Sequence, residues 1–170
     1  MKRDRFLHGL LALLLSAATV APGWAAPLDK AGSSERCVVC GMFVAKYPNW
    51  VTQLLDKTGK VRFFDGVKDL MAFYFAPASF GADGKLTAVE IWVKDYYTLE
   101  WLDGRQAFYV VGSDIYGPMG EEFIPFTDRA AADNFLKDHH GSRVLTFDEI
   151  TAEMVESMRG MHKMKGPMAK

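Results

Sequence analysis

Cysteine is scarce in this chain, since Cys37 and Cys40 are the only two among 170 residues. A small secreted domain held together by disulfides carries several cysteine pairs, so that class is excluded. A structural zinc site commonly takes two ligand pairs, and no second Cys-x-x-Cys is present, so zinc is disfavoured. His139 and His140 are adjacent near a predicted helix end, where positive charge is favoured and capping is their expected role.

The motifs of common enzyme classes are also missing. The sequence has no nucleophile elbow, no phosphate-binding glycine loop and no His-Glu-x-x-His pattern. Asp65 and Asp69 have the spacing of a helix start and its first turn, which does not indicate paired acid–base work. The formal net charge is −1, with no basic stripe for nucleic acid. We therefore expect no nucleic-acid partner and no enzyme, unless an activity depends on the cysteine pair.

No apolar run is long enough to span a membrane comfortably. The run over residues 10–20 is shorter than the roughly 20 residues that a spanning helix needs. Basic residues precede it at Lys2, Arg3 and Arg5, and small residues follow it, which is typical of a secretory signal. We expect cleavage after Ala25, a periplasmic location and no membrane insertion of the mature chain. A retained anchor is the alternative.

The chain does contain enough apolar residues, 49%, for a folded core. Residues 26–36 are small and polar and predict a flexible leader. Strand-like runs at 51–55 and 61–64 flank a turn with Gly59, which predicts a hairpin. Asp65 is the predicted N-cap of a helix that follows this hairpin and ends before Pro77.

A similar order of elements then recurs. Thr127 is the predicted cap of a second helix, and Thr146 with Glu149 has capping-box spacing for a last one. The predicted elements of this half are strands at 87–95, 106–113 and 121–126, a helix over 128–140 and a strand at 142–147.

The repetition predicts an α+β fold of two similar small ββαβ units packed together, with an extra C-terminal helix. The units are expected at residues 37–85 and 86–147, and the helix and a Met-rich tail at 148–170. A single α+β domain without internal duplication is the alternative.

The cysteine pair allows several interpretations. In a thioredoxin-type pair the first thiol lies at a helix start, where the helix dipole lowers its pKa. Here two valines intervene and Gly41 follows, which is poor helix-start chemistry. A thiol–disulfide oxidoreductase using Cys37 and Cys40 is therefore the alternative function. A structural disulfide would close a very small loop and contribute little stability.

A Cu(I) site fits the sulfur pattern better. Soft thiolate and thioether ligands select Cu(I). Met42 lies two residues after Cys40, and Met119 lies between Pro118 and Gly120 on a predicted loop rather than on an apolar helix face. We therefore take Cys37, Cys40, Met42 and Met119 as candidate metal ligands.

Further methionines lie near the C-terminus. Met154, Met158 and Met161 have helical spacing, which predicts a packing face. Met164 and Met168 lie in a basic tail with His162 close by, and a secondary metal-gathering role for these three is a hypothesis.

Three segments, "CVVCGMFVAKYPNW", "FFDGVKDLMAFYF" and "SDIYGPMGEEFIPF", resemble in this order those of NosL-type proteins. These are periplasmic copper-binding accessory proteins of nitrous oxide reductase, linked to denitrification. The resemblance runs from about Cys37 to about Glu149. It implies two similar ββαβ units and Cu(I) delivery to an assembling metalloenzyme, with a membrane transporter complex as docking partner.

By matching motif, the resemblance assigns sulfur ligands to Cys40 and Met42 of Cys-Gly-Met and to Met119 of Gly-Pro-Met-Gly. Cys37 extends the first motif as a Cys-x-x-Cys variant. Many members of that family are lipoproteins attached through a cysteine after the signal's apolar region. No cysteine lies near residues 21–26, so we expect this chain to be soluble, and its client need not be nitrous oxide reductase.

Overall fold

A computed structural model describes residues 26–82, 86 and 89–164, with the backbone alone at 161–164. The predicted signal at 1–25 and the tail residue Met168 lie outside the described residues, as do the side chains of His162 and Met164. Among the described residues, no helix combines the length and apolar character needed to cross a bilayer.

The first sheet has four antiparallel strands in the order β2-β1-β3-β4. The strands are β1 (Thr52–Leu55), β2 (Val61–Phe64), β3 (Glu90–Lys94) and β4 (Trp101–Asp103), and helix α1 (Val67–Phe75) follows β2. All four residues of β1 are buried, because this strand is central and covered on both faces.

The second sheet repeats this arrangement with three antiparallel strands in the order β6-β5-β7. The strands are β5 (Phe108–Val111), β6 (Ile124–Phe126) and β7 (Arg143–Thr146), and helix α2 (Arg129–Asp138) follows β6. A last helix, α3 (Ala152–Met164), packs against α1. In both sheets the first strand is central, and the predicted α+β class is confirmed.

The change of sheet falls later in the chain than the predicted boundary at residue 85. Because β3 pairs with β1, the connection after α1 is a crossover within the first unit. β4 was not predicted, and it adds a fourth strand to the same sheet. Proline and glycine mark the end of α1, but hydrogen bonding to β1 decides which sheet the next strand joins.

Two predicted helix caps are wrong. Gly66, not Asp65, takes the N-cap position of α1, without a side-chain hydrogen bond. Asp128 caps α2 by accepting from the Ala131 amide at 2.8 Å, while Thr127 donates to Asp95. The capping box of Thr146 and Glu149 is confirmed, although it opens the 3-10 turn Phe147–Glu149 and α3 begins later.

Part of the predicted leader is attached to the first sheet. The side chain of Gln53, fully buried in β1, donates to the Leu28 carbonyl at 2.6 Å and accepts from the Leu28 amide at 2.9 Å. A buried side-chain amide needs hydrogen-bond partners. The main chain of Leu28, in the predicted leader, supplies them to Gln53.

The largest hydrophobic cluster joins α1 and α3 to both sheets. Phe64, Leu70 and Phe73 from the first unit share it with Tyr109 from the second. Met158 is buried and Met154 packs against the cluster, so the predicted packing face is confirmed for these two methionines. The side chain of Met161 lies outside the described part of the chain.

Candidate metal centre

The two cysteines lie in a tight turn next to β2. The Cys37 amide donates to the Met42 carbonyl at 2.8 Å, and the Gly41 amide donates to the Cys37 carbonyl at 2.9 Å. Gly41 has φ of 78°, a conformation that glycine adopts without strain. The Val38 amide donates to the Phe63 carbonyl at 3.2 Å and so attaches the turn to β2.

Each thiol faces a carboxylate. The Cys37 Sγ donates to Asp69 Oδ2 and the Cys40 Sγ donates to Asp65 Oδ2, both at 3.3 Å. One ligand atom from each of the four residues lies within 4.8 Å of the other three. We call these four residues the Cys–Asp cluster. Both thiols are free.

Three of the four residues of the Cys–Asp cluster are buried. Cys37 and Asp65 are each 2% exposed and Asp69 is 4% exposed, whereas Cys40 is only half-buried. Asp65 directly follows β2 and Asp69 lies in the first turn of α1. The strand-to-helix junction therefore presents both carboxylates to the turn, and Cys40 is the member that reaches the surface.

Burial and neighbouring charge favour the protonated forms of Cys37 and Asp69 in the metal-free protein. The hydrogen bond to the Cys40 side chain, burial and the nearby Asp69 and Asp65 together raise the pKa of the Cys37 thiol. Burial, followed by the charge of Asp65, raises the pKa of Asp69. Cu(I) carries the same charge as the proton that it would replace on a thiol, so metal binding at Cys37 requires release of that proton.

The same geometry disfavours the oxidoreductase alternative. A reactive thiol needs a lowered pKa, such as a helix N-terminus provides. Cys37 lies in a turn instead, and its pKa is shifted in the opposite direction.

Asp65 and Asp69 were missed as site residues. Their i, i+4 spacing across "FFDGVKDL" also fits an ordinary helix start, and the long-range contact between the cysteine turn and β2 places them against the thiols. The Cys–Asp cluster brings together four donor atoms without a second cysteine pair, so the number of available ligands does not by itself exclude zinc. Zinc accepts thiolates and carboxylates in a tetrahedral set, which the Cys–Asp cluster could supply.

The contacts of the two candidate methionines with the cysteine turn and with α1 are made by their main-chain carbonyls. Met42 is half-buried, and its carbonyl accepts the Cys37 amide. Met119 lies in a turn closed by two hydrogen bonds between Gly117 and Gly120, at 2.8 and 3.1 Å. The Met119 carbonyl accepts from the Nζ of Lys68, the residue before Asp69, at 2.6 Å. A thioether ligand at Met42 or Met119 remains a prediction.

Fold and site together define a class: a small α+β protein with a buried thiol–carboxylate cluster suited to a metal cation. A family model described as NosL matches residues 27–155. The chain belongs to the NosL family.

Relatives with known names support this assignment. The copper-binding lipoprotein NosL of Stutzerimonas stutzeri is 28% identical over 136 residues, which cover 75% of this chain and 68% of the relative. The crystal structure of the copper chaperone NosL from Shewanella denitrificans has a TM-score of 0.60 and 28% identity, and the match covers 75% of this chain and 99% of that one. The names of these two relatives describe a copper-binding lipoprotein and a copper chaperone, not enzymes.

The solution structure of the apo-NosL protein from Achromobacter cycloclastes is 30% identical, over 61% of this chain and 87% of that one, with a TM-score of 0.46.

Proposed function

We propose that this protein is a periplasmic metallochaperone that binds Cu(I) through Cys37 and Cys40 and releases it by ligand exchange. The observation that carries the proposal is the pair of free thiols within one buried cluster. The copper-related names of two relatives support the choice of metal.

The donor chemistry favours Cu(I) over harder cations. Soft thiolates select Cu(I), and the thioether of Met42 or Met119 would supply a further soft ligand. Carboxylate oxygens are hard donors, so we do not assign Asp65 and Asp69 as Cu(I) ligands. Instead, each of them accepts a hydrogen bond from one of the two thiols. Such outer partners orient the ligand atoms before the metal arrives.

The uneven burial of the two thiols sets the order of release. Cys37 is 2% exposed and Cys40 is half-buried, so an incoming ligand from a client reaches the Cys40 sulfur first. We propose an assembling metalloenzyme, nitrous oxide reductase being the first candidate, as the client, and a membrane transporter complex as the docking partner. The secretory signal predicted at residues 1–25 would deliver the protein to the periplasm.

Anaerobic Cu(I) titration against a chromophoric chelator tests the proposal. The reduced protein should bind one Cu(I) per chain, and Cys40→Ser should remove most of the affinity while far-UV circular dichroism stays unchanged. Cys37→Ser/Cys40→Ser serves as the control without thiols. Unchanged affinity in Cys40→Ser would exclude this site, and tight zinc binding with weak Cu(I) binding would assign the Cys–Asp cluster to the harder metal.

A further inference from the structure

Lys68 is an unusual residue in the interior, because lysine is almost never fully buried without partners. It lies in the first turn of α1, next to Asp69, and is 1% exposed. Its Nζ donates to the Met119 carbonyl at 2.6 Å and to the Glu121 carbonyl at 2.7 Å. The side chain therefore connects the helix that carries Asp69 to the loop that carries Met119.

A second contact joins the same two segments. The buried carboxylate of Glu122 accepts the Lys68 amide at 2.5 Å and the Phe123 amide at 3.0 Å. Gly66 and Gly117 both lie against the Glu122 side chain, and a Cβ at Gly66 would overlap its carboxylate. The loop from Gly117 to Glu122 is thus held to the start of α1 by both the side chain and the backbone of Lys68.

From these contacts we propose that Lys68 is a positioning residue for copper binding: it fixes the Met119 loop against the start of α1, the helix that carries Asp69, so that the Met119 thioether can complete the ligand set. The inference rests on the proposed Cu(I) function. Two charge-assisted hydrogen bonds from the Lys68 ammonium group to the carbonyls of Met119 and Glu121 restrain this loop in addition to the two hydrogen bonds between Gly117 and Gly120.

A double-mutant cycle separates this role from general stabilisation. Cu(I) affinity is measured for the wild type, Lys68→Met, Met119→Ala and the double variant. If Lys68 acts through Met119, Lys68→Met weakens Cu(I) binding by about tenfold or more, the loss typical of an outer partner of a metal ligand. The same substitution should then have no further effect in Met119→Ala.

Lys94→Met is the matched control, because the Lys94 Nζ also donates to a carbonyl, that of Pro48 at 3.0 Å, away from the cluster. It should leave Cu(I) affinity unchanged. Lys68→Arg, which keeps the charge and the donors, should recover part of the lost affinity. Wild-type affinity in Lys68→Met, or an equal loss from this substitution with and without Met119, would overturn the inference.

Two further observations keep the outcomes distinct. If Lys68→Met does not fold, ¹⁵N relaxation of the metal-free wild type still decides: amide order parameters of residues 119–121 as high as those of α1, near the rigid value of about 0.85, support the inference, and values below those of α1 overturn it. Failure of the wild type to bind Cu(I) would overturn the proposed function itself. Normal Cu(I) binding in Lys68→Met would remove only the role of Lys68.

Discussion

Cu(I) binding should release the proton of Cys37, because the metal needs a thiolate and the metal-free cluster holds a thiol. The neighbouring Cys40 side chain, burial and two carboxylates all favour the protonated form and raise the pKa of Cys37. At any pH from 6 to 8 this thiol is therefore protonated before copper arrives. Each bound Cu(I) must therefore displace one proton from Cys37, in addition to any protons that other groups release.

The size of the effect follows from that stoichiometry. One released proton changes the apparent affinity by about tenfold per pH unit, equivalent to about 1.4 kcal/mol. Between pH 6 and pH 8 the Cys37 proton alone should therefore strengthen Cu(I) binding by about a hundredfold.

Two assays measure this. Chelator competition at several pH values, corrected for protonation of the chelator, gives the slope of affinity against pH. Titration in weakly buffered solution gives the protons released per Cu(I). Cys37→Ser should lower the slope by about one logarithmic unit of affinity per pH unit. A wild-type affinity independent of pH, or binding without proton release, would refute the reasoning.

Two further predictions concern residues around the Cys–Asp cluster. Burial raises the pKa of Glu122 from 4.5 to about 8, so its contribution to the stability of the metal-free protein is fully present below pH 4.5 and is lost as the pH rises through 8. Chemical denaturation of Glu122→Gln should show a flatter pH dependence between 5 and 8 than the wild type, and equal slopes would contradict this. Met119→Ala should weaken Cu(I) binding by a smaller factor than Cys40→Ser, whereas Met154→Ala, which removes a thioether from α3, should not. Equal effects of the two methionine substitutions would argue against Met119 as a ligand.

Much of the architecture could be predicted from local pattern. The strand-like runs around Gly59 and the helices after β2 and β6 lie close to their predicted positions. β4 could not be found this way, because it has three residues and is stabilised by pairing with β3 rather than by its own composition. The membership of β3 in the first sheet could not be found this way either, because it is decided by pairing with β1.

The cysteines could be chosen as candidate ligands from sequence because two thiols beside thioethers are rare and chemically distinctive. The carboxylates were missed because Asp65 and Asp69 also fit an ordinary helix start. Their role depends on the contact of Val38 with Phe63, across 25 residues of chain, which no local pattern contains. Lys68 was missed likewise, because its partners at Met119 and Glu121 lie in the other half of the protein.

Copper K-edge X-ray absorption of the Cu(I)-loaded protein tests the central claim most directly. We expect a low-coordinate Cu(I) ion with two or three sulfur neighbours, and loss of this sulfur shell in Cys37→Ser/Cys40→Ser. A first shell of oxygen or nitrogen alone, or a spectrum that the double substitution leaves unchanged, would contradict it.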